Sequence, residues 1–316
     1  MHQHESDLGD FMTFYKYTSI PTAKLMLENE TMRWSSPIVF NDIEECQFVP
    51  FTKETISSAY KKYHEILTKC ADGNPPPEYE SYTEVTKMIV GLLRITRGSG
   101  TMSAENLVRM MEKVSGNLDH NYREFVNAAL VRCLRVMCLT TEHDNALMWA
   151  HYADQHRGCV FELDEFFKSE PRGFRCGFVR YHENLEPTSD PLDTLLYGET
   201  KEVTDSLIND VVFSKRTSWS YEKEYRLLFN ESIGEITTRV NMATNQRTIT
   251  TRYQPETPYT DVAFCPKSIK SIAFGARAER SEIKSLSKML VDKSCNINLY
   301  RMEMRDGRLL RADQIL

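Results

Sequence analysis

Apolar residues gather at Leu134–Leu139, a run with the composition of a buried strand. A polar loop follows, Thr140–Asn145, in which Asp144 or Asn145 can cap a helix. Ala146–His156 predicts that helix, Gly158 its left-handed stop, and Val160, Phe161 and Leu163 a second strand. Before this unit, Phe11–Tyr17 reads as a strand, Ala23–Asn29 as a helix and Met32–Ser35 as a short strand. Helical periodicity then covers Phe51–Cys70, Ser81–Arg97 and Ala104–Val131, broken at Gly73–Pro77 and Gly98–Gly100. After the unit come a strand at Arg175–Tyr181, a helix over Asp190–Phe213 and a strand over Ser220–Phe229. A hairpin over Ile236–Tyr253, a loop and strand within Asp261–Phe274, a helix over Ser281–Lys293 and a closing strand at Ile297–Met302 complete the chain. Helices in blocks beside many short strands predict an α+β fold with a mixed or antiparallel sheet core. The expectation is one domain over residues 1–316, with a helical insertion at about 52–132.

Composition narrows the classes. A net charge of −6 gives no global basic field for duplex nucleic acid, so any phosphate site is local. The eight cysteines are scattered without CxxC or Cys/His ligand spacing, and no metal site is expected. His2 and His4 read as part of a solvated tail. The N-terminus has neither a basic nor an apolar signal region, and no apolar run approaches the roughly 20 residues of a membrane span. A cytoplasmic protein with reduced thiols and no membrane partner is the expectation.

Two stretches carry chemistry. The helix at 146–156 holds Trp149, His151, Tyr152 and His156, which suits a pocket wall. The same spacing suits a core-facing stripe, in which His151 and Tyr152 form a hydrogen-bonded pair. Around Ser220–Phe229, strand alternation sets Glu222, Glu224 and Arg226 on one face, with Tyr221, Lys223 and Tyr225 on the other. That row could equally be a solvated charge ladder. Upstream, Lys215, Arg216 and Trp219 add positive charge and a ring, a combination that suits an anionic ligand with an aromatic part. Asn41 and Asp42 are ordinary turn residues, and Glu44 and Glu45 are expected to face solvent.

The ordered segments FYKY, NETMRWSSPIVFND, CLTT, LMWAHYADQHRGCVFEL, FSKRTSWSYEKEYRLLF and IKSIAFG resemble the bacterial domain-of-unknown-function family 2971. Ile43 departs from it, since that family tends to place proline after FND. The family implies a common fold and no settled activity. In layout the chain also resembles ADP-ribosyltransferases. FYKYTSIPTAKLMLENETMRWSS is similar to their opening strand, helix and strand, and Glu222-Lys223-Glu224 to their terminal ExE pair. Lys16 stands where those enzymes usually have His or Arg.

What that resemblance implies is an NAD-consuming enzyme, a toxin or phage-defence effector, with NAD as substrate and a protein or nucleic acid as acceptor. Glu224 and Glu222 would be catalytic, with His151 or Tyr152 as the central-strand partner. Lys16, Tyr17, Lys215, Trp219, Arg216 and Arg226 would bind the dinucleotide. A fixed carboxylate suits this chemistry because breaking a nicotinamide–ribose bond passes through an oxocarbenium-like state. Two other classes stay open: a metal-dependent phosphodiesterase using Asp42, Glu222 and Glu224, and a non-catalytic sensor or binding module.

Overall fold

A computed structural model describes residues 13–42, 44–46, 53–96, 106, 109, 131–163, 175–184, 190–198, 200–231, 236–241, 246–251, 257–293 and 297–315. The expectations for His2, His4, Gly98–Gly100 and most of the helix at 104–131 lie outside these residues.

In chain order the elements begin with β1 (Phe14–Thr18), α1 (Ile20–Asn29) and β2 (Thr31–Ser35). Next come α2 (Lys53–Ala71), α3 (Glu84–Thr96), β3 (Leu134–Thr140), α4 (Ala146–Tyr152) and β4 (Cys159–Leu163). The second half holds β5 (Arg175–Phe178), β6 (Arg180–His182), α5 (Pro191–Tyr197), α6 (Lys201–Val212), β7 (Ser214–Arg216) and β8 (Glu224–Asn230). It ends with the β9–β10 hairpin (Ile236–Asn241, Gln246–Thr251), β11 (Tyr259–Ala263), β12 (Ile269–Phe274), α7 (Arg280–Asp292), β13 (Asn298–Arg305) and β14 (Arg308–Gln314).

The α+β class read from the sequence holds: a mixed ten-stranded sheet with helices on its faces. Its centre is β3. One edge of β3 pairs along its whole length with β8, from Leu134↔Asn230 to Thr140↔Glu224. The other edge is shared, with Thr140 opposite Tyr15 of β1 and Val136 opposite Ser35 of β2. The sheet therefore forks beside Cys138. One branch continues through β2 to β11, the other through β1, β4, β12, β13 and β14.

Alternation along β3 sends Met137 and Leu139 into one core and Leu134 and Val136 into another. The first core is closed by α1 (Ile20, Ala23, Leu27) and α7 (Ile283, Leu286, Leu290). The opposite face carries α6 and Phe213 over β3 and β8, and Met148 and Trp149 of α4 over β1, β4 and β12. With both faces covered, β4 is buried at every position. Between β2 and β3, α2 and α3 share a separate cluster with α5. Among the described residues, no helix is long and apolar enough to cross a membrane.

Four local expectations are corrected. Helix α4 ends at Tyr152 rather than His156, because Asp154, Gln155 and His156 adopt φ of 46°, 53° and 68°. Gly158 is not in the left-handed region. It is required for another reason: a Cβ there would lie 2.2 Å from the Thr18 carbonyl oxygen. The helix expected at 190–213 is two, parted at Gly198, whose φ is 70°. The strand expected at 220–229 begins only at Glu224, since Thr217–Glu222 is a 3-10 turn and Lys223 is left-handed.

The loop after α4 packs backbone against backbone. Gly275 N–H donates to the Gly158 carbonyl (2.9 Å) and Arg277 N–H to that of His156 (3.0 Å). A Cβ on Gly275 would sit 2.0 Å from the His156 oxygen. Gly275→Ala is therefore expected to cost about 1–3 kcal/mol or more in urea unfolding. Gly91→Ala, in α3 with nothing within 4 Å of the added Cβ, is expected to stabilise by about 0.5–1 kcal/mol.

Candidate functional site

Beside the fork in the sheet, on the face that carries α4 and α6, lies a cavity of about 210 Å³. Tyr15, Lys16 and Tyr17 of β1 line it, with Cys138 and Thr140 of β3, Tyr152 at the end of α4, and Lys215, Glu222 and Glu224. Asn41, Asp42 and Glu45 from the loop after β2 also line it, as do Arg33 and Phe40.

The charged groups form one buried cluster. Lys215 Nζ lies 2.7 Å from Glu222, 3.3 Å from Glu45 and 3.5 Å from Glu224. Arg226 donates through Nε and Nη2 to the two oxygens of Glu224, both at 2.8 Å. It also donates to Glu45 and to the Val212 carbonyl, and its Nη1 is 3.9 Å from Cys46 Sγ. Three carboxylates thus surround two cations, all at least nine-tenths buried. Such an arrangement is tenable because each charge has charged partners, and removing one leaves the others unpaired in a low dielectric.

Local chemistry fixes Glu222 at the end of its 3-10 turn. Thr140 Oγ1 donates to the Glu222 carbonyl (2.5 Å), and Asn145 Nδ2 to that of Tyr221 (3.0 Å). Asn145 Oδ1 meanwhile caps α4, accepting from Leu147 (3.0 Å) and Met148 (3.3 Å). One side chain thus ties the helix bearing Tyr152 to the turn bearing Glu222. Tyr152 Oη then donates to Glu222 at 2.6 Å. The left-handed Lys223 turns the chain so that Glu224 enters β8 on the cluster side, and the Glu224 N–H donates to Tyr181 Oη at 2.9 Å.

Burial sets the protonation. It raises the Glu224 carboxyl to about 7, with Lys215 pulling it down and Glu222 pushing it up. Burial also lowers Arg226 to about 9. The bidentate contact between the two favours their charged forms and so works against both shifts. Burial, then Glu222, raises the Tyr152 phenol, which stays a neutral donor. Lys16 is lowered by burial, and its ammonium donates to the Cys138 carbonyl (2.9 Å) in the fork.

The residues singled out from sequence divide. Lys16, Tyr17, Tyr152, Lys215, Glu222 and Glu224 come together at the cavity. Arg226 stands behind it as a clamp on Glu224 and Glu45. His151 is exposed and Trp219 half-buried, and they lie outside the cavity's lining, beside Tyr152 and Lys215. Arg216 is exposed and pairs with Glu44, and Lys223 is exposed and pairs with Glu142.

Glu45, expected in solvent, is instead buried between Lys215 and Arg226. Nothing in its local sequence signals this, because both partners lie about 170 or more residues away. Asp42 does behave as a turn residue, accepting from Glu44 N–H at 2.9 Å. The point on which Glu45, Glu222 and Glu224 converge is taken by the Lys215 ammonium.

Lys215→Met is expected to cost about 3–5 kcal/mol in urea unfolding at pH 8. The Glu224 carboxyl, raised by burial and then without Lys215 to pull it down, would titrate higher in the folded than in the unfolded chain. Stability is then fullest below the unfolded value of about 4.3 and is lost as the pH rises through about 7 and beyond. The deficit of the variant should therefore shrink at pH 5, and an equal deficit at both pH values would show that the charges are not the cause.

No curated protein and no solved structure matches the chain, and the likeness to ADP-ribosyltransferases gains no support from these comparisons. Residues 148–227, which include Tyr152, Lys215, Glu222, Glu224 and Arg226, match the model of the family described as a protein of unknown function, DUF2971, the family read from the sequence.

Proposed function

We propose that this protein is an NAD-consuming, ADP-ribosyltransferase-like enzyme acting at the Glu222–Glu224 cavity. The observation that carries the reading is two carboxylates lining one cavity together with Tyr15, Lys16 and Tyr17, each carboxylate held by cations or a phenol. In the reaction, the bond between ribose C1′ and the nicotinamide nitrogen breaks, its electron pair leaving with the ring. The positive charge left on the ribose is what a fixed carboxylate stabilises.

The geometry favours a division of roles that differs from the one expected from sequence. Glu224 is gripped by both Arg226 and Lys215, so it acts as fixed negative charge. Glu222 has one cation and one phenol as partners, which makes it the better-placed acceptor for a ribose 2′-hydroxyl. Tyr152 orients that carboxylate as a neutral donor, and Lys16 supplies positive charge toward the diphosphate. The acceptor of the transferred group is a protein, a nucleic acid or water.

The test is nicotinamide release from NAD by purified protein, with and without magnesium or manganese. Glu222→Gln and Glu224→Gln are each expected to lower turnover on the order of 10²–10³-fold. Both substitutions should also lower the unfolding midpoint, Glu224→Gln more, because Arg226 loses its bidentate partner, whereas Lys215 keeps Glu45 and Glu224 when Glu222 is neutralised. Tyr152→Phe should lower turnover less than either.

Turnover in the parent protein should rise with pH through about 7, as the Glu224 carboxyl loses its proton. NAD left intact with cell extract present, together with metal-dependent cleavage of an oligonucleotide, would replace this reading with the phosphodiesterase. Inertness towards both would leave a binding module whose charge cluster is structural.

A further inference from the structure

Outside the cavity's lining, next to Tyr152, three rings cluster. Trp219 and Tyr221 of the 3-10 turn lie 6.0 Å apart between centroids at 33°, and the exposed His151 is 6.5 Å from the first and 6.4 Å from the second. Leu147, one helical turn before His151 and so on the same side of α4, is 51% exposed. A half-buried tryptophan beside an exposed histidine is poorly explained by packing alone. Trp34 and Trp149, the other two tryptophans, are 1% and 0% exposed. One face of Trp219 lies 4.7 Å from the Lys215 ammonium, which couples the rings to the charge cluster.

The cavity itself, at about 210 Å³, is smaller than the roughly 300–1,000 Å³ that encloses a drug-sized ligand. It has room for one part of a dinucleotide and not for the whole. On the reading above, the remainder must lie outside, next to an aromatic surface.

We infer that His151, Trp219 and Tyr221 form a stacking platform for a purine ring, the adenine of the dinucleotide whose other half enters the cavity. Stacking asks only for a flat π-face, and these three rings, one exposed and two half-buried, are gathered where a base can reach them. Charge separates a single base from a nucleic-acid strand. The chain carries −6 overall, and the exposed cations nearest these rings in sequence, Arg216 and Lys223, are already paired with Glu44 and Glu142. A phosphate-rich backbone would find little free positive charge there.

The test is calorimetric titration of the full chain with AMP, and with ribose 5-phosphate as the probe that lacks the base. AMP is expected to bind more tightly than ribose 5-phosphate. Trp219→Leu should weaken AMP on the order of 5- to 100-fold and leave ribose 5-phosphate unchanged. His151→Ala, at an exposed position, should weaken AMP by a smaller factor and keeps the test open if the tryptophan variant fails to fold. Equal affinity for the two probes, or AMP affinity indifferent to both substitutions, overturns the platform.

The inference rests on the proposed reaction but fails separately from it. AMP binding that follows the variants, with NAD left intact, retains the platform and removes the enzyme. NAD consumption with AMP indifferent to the variants does the reverse.

Discussion

The contact on which this architecture turns is the Lys215 ammonium among Glu45, Glu222 and Glu224, with Arg226 behind them. Each of these groups is costly to bury alone, and together they hold separate pieces of chain in one place: the loop after β2, the start of β7, the 3-10 turn and the start of β8. Apolar packing would have tolerated sliding among these pieces. Directional ion pairs do not, because a displaced partner leaves a buried charge unmatched. The cluster therefore contributes more to position than to stability. What it positions is a pair of carboxylates on the wall of a cavity.

A fork in the sheet is what makes room for that cavity. Had β1 or β2 paired with β3 along its whole edge, the Cys138 carbonyl would have joined a ladder. Instead it accepts from Lys16, a side chain brought from the neighbouring strand. A buried carbonyl without a ladder partner needs some donor, and a lysine supplies one while placing positive charge next to the acids. The opening and its basic residue thus share one cause.

Much of this was legible in the sequence, and the limits have physical reasons. The apolar run at Leu134–Leu139 showed β3, because a strand with both faces covered reads as continuous hydrophobicity. The ExE alternation did set Glu222, Glu224 and Arg226 towards one cluster, yet for a partly wrong reason. A 3-10 turn and a left-handed Lys223 bring Glu222 there, where an unbroken strand had been expected. Glu45 was not legible at all. Its burial depends on Lys215 and Arg226, and an ion pair between residues so far apart leaves no trace in local periodicity. His151 was readable as part of a cluster, but its exposure depends on where α4 stops.

That stopping point shows how backbone strain serves the site. Three successive non-glycine residues, Asp154, Gln155 and His156, hold left-handed conformations that cost on the order of 1–3 kcal/mol each. They persist because the surrounding backbone determines them: His156 N–H donates to Trp149 O (3.1 Å), Gly158 N–H to Ala153 O (2.8 Å), and Gly275 and Arg277 bond back to the loop. Only glycine at 158 and 275 lets the strands come close enough for those bonds. The consequence is a helix that ends at Tyr152, with its hydroxyl 2.6 Å from Glu222. A longer helix would have carried the chain on past the point where it must turn into β4. The strain behind α4 and the ion pairs in front of it therefore act on the same side chain from opposite directions, and Tyr152 is fixed where the two constraints meet.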